Sequence, residues 1–69
     1  MINKHEFEAH KNDYKLIEGK DIYGCLVIFI YVNGNYQGFI DCMNSKDFEA
    51  VERNIREDKD YIYSMDVYA

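Results

Sequence analysis

The stretch LVIFIYV, residues 26–32, carries no charged or amide side chain on either of the two faces a strand would present, and it runs directly into Asn33-Gly34. Side chains alternate across a strand, so a strand with one wet face alternates apolar with polar. A run apolar on both faces has to be covered on both. Asn-Gly is the strongest short hairpin signal, because both residues tolerate the positive φ of a type I′ turn. The chain from Ile22 therefore reads as a long central strand, and "YQGFIDC" after the turn reads as its returning partner. A two-residue Asn33-Gly34 loop pairs Tyr31 with Tyr36, Phe29 with Gly38, Val27 with Ile40 and Cys25 with Cys42. A loop moved onto Gly34-Asn35 would change every pair; the first register is preferred. Gly38 is expected to leave room for the Phe29 ring across the ladder.

The remaining segments give the other elements. Asn3 and Glu6 have capping-box spacing, Ile2 and Phe7 occupy staple positions, and Phe7, His10 and Tyr14 recur at helical intervals, so residues 4–12 are expected to form a short helix. "DYKLIEG" reads as a short strand and "EGKD" as a turn. "MNSKDFEAVERNIRED" reads as the longer helix. Asn44 or Ser45 would cap it, with Asp47 in the first turn and Phe48, Val51 and Ile55 as the apolar stripe. Glu49–Arg53 and Glu52–Arg56 form i,i+4 pairs with the acid first. "DYIYSMDVYA" alternates, with Tyr61, Tyr63, Met65 and Val67 on its inward side, and reads as a last strand. The expected fold class is α+β: a single small domain over 1–69, with an antiparallel sheet of about four strands, a short N-terminal helix and one longer helix, in the order α-β-β-β-α-β. The N-terminal helix is short and its stripe thin, so one face of the sheet is expected to stay incompletely covered, which usually marks an interface.

A chain of 69 residues buries only roughly 60% of the surface it exposes when unfolded, so its margin of stability is thin. No apolar run approaches the ~20 residues that span a bilayer, and the N-terminus has no apolar core of the signal-peptide kind. The expected setting is intracellular, unless a leader has already been removed. Two cysteines, Cys25 and Cys42, are too few for a disulfide framework or a structural zinc site. They read as small buried thiols, or, if opposite each other, as a cross-strand pair able to sense oxidation. His5 and His10 lack the i,i+4 spacing of helical metal ligands. "GNYQG" has neither the following helix nor the Lys-Ser/Thr of a phosphate loop. With no nucleophile elbow, zinc motif or nucleotide fingerprint, no enzyme activity, metal or cofactor is expected.

The net charge is −5. Residues 1–40 hold five acids against four bases, and residues 41–69 hold eight against four. Direct nucleic-acid contact requires a basic patch, as does an anionic membrane, and neither is expected as a partner. Glu57, Asp58 and Asp60 gather where the longer helix should end, at the negative pole of its dipole, with only Lys59 offsetting them locally; exposed acids there are disfavoured by about 0.3–1 kcal/mol each. Asp41 and Asp66 stand nearby in sequence, on expected strands. A local rule broken without compensation is where function is expected, although clustered acids also serve solubility. Seven tyrosines supply rings with a polar tip, suited to interfaces; Tyr23, Tyr36 and Tyr68 are the surface candidates. The candidate partner-binding residues are Asp41, Glu57, Asp58, Asp60, Asp66, Tyr36 and Tyr68.

In size, charge and element order, "YVNGNYQGFIDCMNSKDFEAVERNI" included, the chain resembles small acidic phage-encoded inhibitors, among them anti-CRISPR proteins that occupy a nuclease's DNA-binding groove with carboxylates. The resemblance implies a non-enzymatic inhibitor or regulator of a nucleic-acid-handling enzyme, acting in the host-cell cytoplasm through an acidic surface that engages a basic site. The competing expectation is a small homodimer of a phage or mobile element, its bare sheet faces packed together, with no DNA mimicry. A thiol-based redox protein is the third.

Overall fold

The computed structural model describes residues 3–41, 48–65 and 67–68. Four strands, β1 (Lys4–Ala9), β2 (Asn12–Lys20), β3 (Leu26–Val32) and β4 (Asn35–Asp41), form one antiparallel meander in the order β1-β2-β3-β4. The helix α1 (Phe48–Glu57) and a 3-10 turn at Tyr61–Tyr63 follow. The described order is thus β-β-β-β-α, which corrects two expectations.

The first correction is at the N-terminus, where residues 4–12 form no helix. His5, Phe7 and Ala9 face inward and Lys4, Glu6 and Glu8 outward, a strict period of two. Phe7 lies opposite Tyr14 in the β1–β2 ladder, their rings stacked 5.1 Å apart. The turn between these strands is His10-Lys11, both with positive φ (53° and 65°). His is among the non-glycine residues enriched in that conformation, whereas Lys is not. His10 Nε2 donates to the Ile55 carbonyl at 2.6 Å, tying the turn to α1. Asn3, the supposed cap, extends the β1–β2 ladder instead: Glu18 N donates to its carbonyl at 2.9 Å.

The second correction is at the C-terminus, where the described residues form no full strand. Tyr61–Tyr63 coils into the 3-10 turn, which drives Ile62 into the core and leaves Tyr63 72% exposed. What remains of the expected strand is one residue. Tyr68 forms an isolated antiparallel bridge with Phe39, each donating its N–H to the other's carbonyl at 2.8 Å.

The β3–β4 hairpin turns on Asn33-Gly34 as expected, with φ of 53° and 85°. Tyr31 pairs with Tyr36, but a bulge follows: Ile30 pairs with Gly38, Phe29 with Phe39, Ile28 with Ile40 and Val27 with Asp41. Gln37 is the extra residue. The expected pairing of Phe29 with Gly38 and Val27 with Ile40 is therefore displaced by one. Cys25 is exposed and free, not a buried thiol. Cys42, its expected partner, and the caps Asn44, Ser45 and Asp47 lie outside the described residues.

One core cluster joins the layers. Tyr14, Leu16, Ile28, Ile30 and Ile40 from the sheet meet Val51 and Ile55 of α1 and Ile62 of the 3-10 turn. Leu16, Ile30, Ile40, Val51 and Ile55 are fully buried. The expected stripe of α1 thus faces the sheet, and of its two expected ion pairs Glu52–Arg56 closes, Arg56 Nε to Glu52 Oε2 at 2.7 Å. Every member of this cluster belongs to one side of the sheet, so α1 and the 3-10 turn both lie on that side. Asn33 stitches the two hairpins together at the far edge. Its N–H donates to the Asp13 carbonyl, its Oδ1 accepts from Asp13 N at 2.9 Å, and its Nδ2 donates to Asn12 Oδ1 at 3.1 Å.

Candidate functional site

The side of the sheet turned away from α1 has two unlike halves, set by strand register. Across β1 and β2 it carries Lys4, Glu6, Glu8, Asp13 and Lys15. Across β3 and β4 it carries Val27, Phe29, Tyr31, Tyr36 and Phe39. Opposing rows run Glu6–Lys15–Tyr31–Tyr36 and Lys4–Ile17–Phe29–Phe39. The tail bridge adds Tyr68 beside Phe39, ring centroids 5.5 Å apart.

The bulge assembles the aromatic half. In an unbroken strand Tyr36 and Phe39 would point to opposite faces, three residues being an odd step. The unpaired Gln37 absorbs that step. Tyr36 packs edge-on against Tyr31 at 5.6 Å and tilts against Phe29 at 6.3 Å, and Phe39 meets Phe29 at 6.2 Å and 62°. Two glycines give the rings their places. A Cβ on Gly19 would stand 2.6 Å from Phe29 Cε2, so the ring packs into the space a side chain there would take. Gly38, expected to serve Phe29, serves the tail instead: its Cβ would stand 2.6 Å from the Tyr68 carbonyl oxygen and 2.8 Å from Val67 Cγ1.

Beyond these rings residues 21–25 form a tight loop. Asp21 Oδ1 accepts from Tyr23 N at 2.8 Å and from Cys25 N at 2.9 Å, an Asx-type closure. The loop and the rings enclose a mostly apolar open groove of about 520 Å³, lined by Asp21, Ile22, Tyr23, Phe29, Tyr36 and Phe39 together with Lys20. Its rim is wet: Ile22 is 90% exposed, Tyr23 83%, Tyr36 49% and, beside Phe39, Tyr68 45%. Partial desolvation, and then the neighbouring Tyr31, push the Tyr36 hydroxyl above the ordinary tyrosine value. Tyr36 is therefore a neutral donor at physiological pH.

The residues singled out from sequence divide into two places. Tyr36 and Tyr68 flank the aromatic half, and Asp41 ends β4 on the same side, opposite Val27. Glu57, Asp58 and Asp60 are exposed at the end of α1. That end sits by the His10-Lys11 turn, as the His10–Ile55 bond requires. Asp41 is at the opposite end of β4, roughly 20 Å along the strand. The carboxylates thus do not form one cluster. Asp58 has a local task, since its Oδ1 accepts from Asp60 N at 2.9 Å and closes the turn leaving the helix. Asp66 lies outside the described residues. Phe29, Phe39 and the loop acid Asp21 were not singled out. The signal for the two phenylalanines was present in the run apolar on both faces, but the bulge that brings Phe39 to them left no mark in composition.

A second polar group lies on the helix side. Glu52 accepts from His5 Nε2 at 2.5 Å and from Arg56 Nε at 2.7 Å. These bonds, His5 first and Arg56 second, hold the Glu52 carboxyl below the ordinary carboxylate range. Arg56 also stands over the Phe7 ring, 5.3 Å from its centroid. Among the described residues no group of three His, Cys, Asp or Glu side chains could hold a metal ion, and no helix is long and apolar enough to cross a membrane. The chain matches no family model, no curated protein and no solved structure.

Proposed function

We propose that this chain is a non-enzymatic binding protein that blocks or regulates a basic protein partner, with the aromatic half-sheet as its dehydrated contact. The observation that carries the reading is the placement of Phe29, Tyr31, Tyr36, Phe39 and Tyr68 on the side of the sheet away from α1, with Tyr36 and Tyr68 about half exposed. Contiguous exposed apolar patches on small soluble domains mark interaction sites. Tyrosine and phenylalanine there supply contact area at low entropic cost. The net charge of −5 favours a partner of opposite sign, and a nucleic-acid-handling enzyme is such a partner. Charge of this kind acts mainly on the association rate. Glu57 and Asp60 are the carboxylates free to steer, since Asp58 also closes a turn.

Capture from a host lysate tests this with three proteins: the natural sequence, Tyr36→Lys, and the double variant Glu57→Lys/Asp60→Lys. The expected result is a partner retained by the natural chain, lost with Tyr36→Lys, and held more weakly at low salt by the double variant. Equal capture by all three refutes the reading. Sedimentation of the purified chain tests the competing occupant: a dimer dissolved by Tyr36→Lys would assign the same face to a second copy.

A further inference from the structure

The groove between the aromatic half-sheet and the 21–25 loop has a chemistry narrower than general stickiness, and the inference drawn from it rests on the docking reading above. Phe29 meets Tyr36 at 54° and Phe39 at 62°. Rings set at such angles turn π-faces and edges toward a shared space without filling it. Asp21 lines the same groove. One of its carboxylate oxygens closes the loop through two backbone N–H groups, while Oδ2 makes no bond among the described residues. Lys20 contributes to the lining from the opposite face of β2 and is itself exposed.

An apolar slot of tilted rings with a carboxylate at its mouth is complementary to a cation on an apolar stem. Aromatic faces attract cations through their quadrupole, most strongly when the site is desolvated. A guanidinium suits it better than an ammonium, because it is planar, stacks on rings and is weakly hydrated. The molecule already makes this contact internally, with Arg56 over Phe7. The net charge of −5 adds attraction to the same class of partner. We infer that the Phe29–Tyr36–Phe39 groove is the receptor for an arginine side chain presented by the basic partner, with Asp21 as its counter-charge. The steering carboxylates at the end of α1 set how fast the partner arrives, and this groove sets which side chain anchors it.

The test is an NMR titration of the full chain with three blocked tripeptides, acetyl-Gly-Xaa-Gly-amide, in which Xaa is arginine, its uncharged isostere citrulline, or phenylalanine. The arginine peptide should shift the ring signals of Phe29, Tyr36 and Phe39, and bind on the order of tenfold more tightly than citrulline. Tyr36→Leu should abolish the difference. Asp21→Asn keeps the oxygen that closes the loop and should weaken the arginine peptide several-fold without altering the fold. Equal binding of arginine and citrulline overturns the inference, as does an arginine response confined to Glu57 and Asp60. Binding of the phenylalanine peptide alone overturns the cation chemistry and leaves the docking face standing. Silence from all three overturns the arginine receptor, while the docking reading stands or falls on the lysate variants.

Discussion

Replacing Gly38 by alanine should detach the C-terminal tail from β4 and yet hardly change global stability. The new methyl group would stand 2.6 Å from a backbone carbonyl oxygen and 2.8 Å from Val67 Cγ1, so bridge and methyl cannot coexist. The loss is two backbone hydrogen bonds, each 2.8 Å in the present structure, together about 1–3 kcal/mol, and the packing of Val67 on the core and of Tyr68 on Phe39, about 1–2 kcal/mol more for two half-buried side chains. Two effects oppose it. Freeing two residues of tail returns roughly 1–2 kcal/mol each of backbone entropy. Alanine in a strand gains about 0.5–1 kcal/mol over glycine. The terms cancel to within about 2 kcal/mol, so the unfolding midpoint cannot reveal the change, and a local probe must. Hydrogen exchange reads it directly: the Phe39 amide, now protected by Tyr68, should exchange much faster, while Ile28 and Ile30 at the sheet's centre keep their protection. A chain truncated after residue 66 should show the same pattern, and Gly38→Ala should add nothing to it. Unchanged protection at Phe39 in the alanine variant would refute the assignment of Gly38 to the tail.

Three other perturbations probe separate parts of the fold. Gly19→Ala forces the Phe29 ring out of its place and should destabilise by about 1–3 kcal/mol; Phe29→Leu should relieve it, giving a coupling well above the ~0.5 kcal/mol of independent sites in a urea-unfolding double-mutant cycle. Glu52→Gln should lower stability at neutral pH by about 0.5–1 kcal/mol. Because the folded carboxyl titrates below its unfolded value, Glu52 stabilises above that unfolded value, and the contribution fades as pH falls through the folded one; natural and variant chains should therefore converge on acidification. Asn33→Ala loses two side-chain bonds and a comfortable left-handed turn, and should cost about 2–3 kcal/mol. Asn33→Gly keeps the turn and should cost only the bonds, a split that thermal unfolding can measure.

How much of this could be read beforehand differs by segment, for physical reasons. The Asn33-Gly34 hairpin and the stripe Phe48, Val51, Ile55 were legible because turn chemistry and period are local properties. The N-terminal segment was misread because three coincidences mimicked a helix start, while the turn that makes it a hairpin uses His10 and Lys11. Of that pair only His10 is of a type enriched at positive φ, a weak signal beside the Ile55 carbonyl that ties the turn down from 45 residues away. The tail was misread because tertiary packing overrode its alternation: the 3-10 turn buries Ile62 with Tyr61 packed beside it and leaves Tyr63 and Met65 exposed. The second apolar sheet face was legible as a surplus of apolar residues, and among the described residues it is half open, with Val27 buried and Tyr36 half exposed. Its location awaited the loss of the supposed helix. Of the candidate residues, Tyr36 and Tyr68 reached that face, whereas the acids were grouped by closeness in sequence and the fold sent Asp41 to the far end of β4.

Gln37 has a wider meaning. Anywhere else in β4, gaining or losing one amino acid would exchange inside for outside from that point onward, burying Phe39 and Asp41 and expelling Ile40. At Gln37 a single-codon deletion simply straightens the ladder, because Tyr36 and Gly38 already face opposite ways. The hairpin therefore tolerates a frame-preserving length change at the spot that angles Tyr36 toward its neighbours. Related chains could retune that ring without rebuilding the interior.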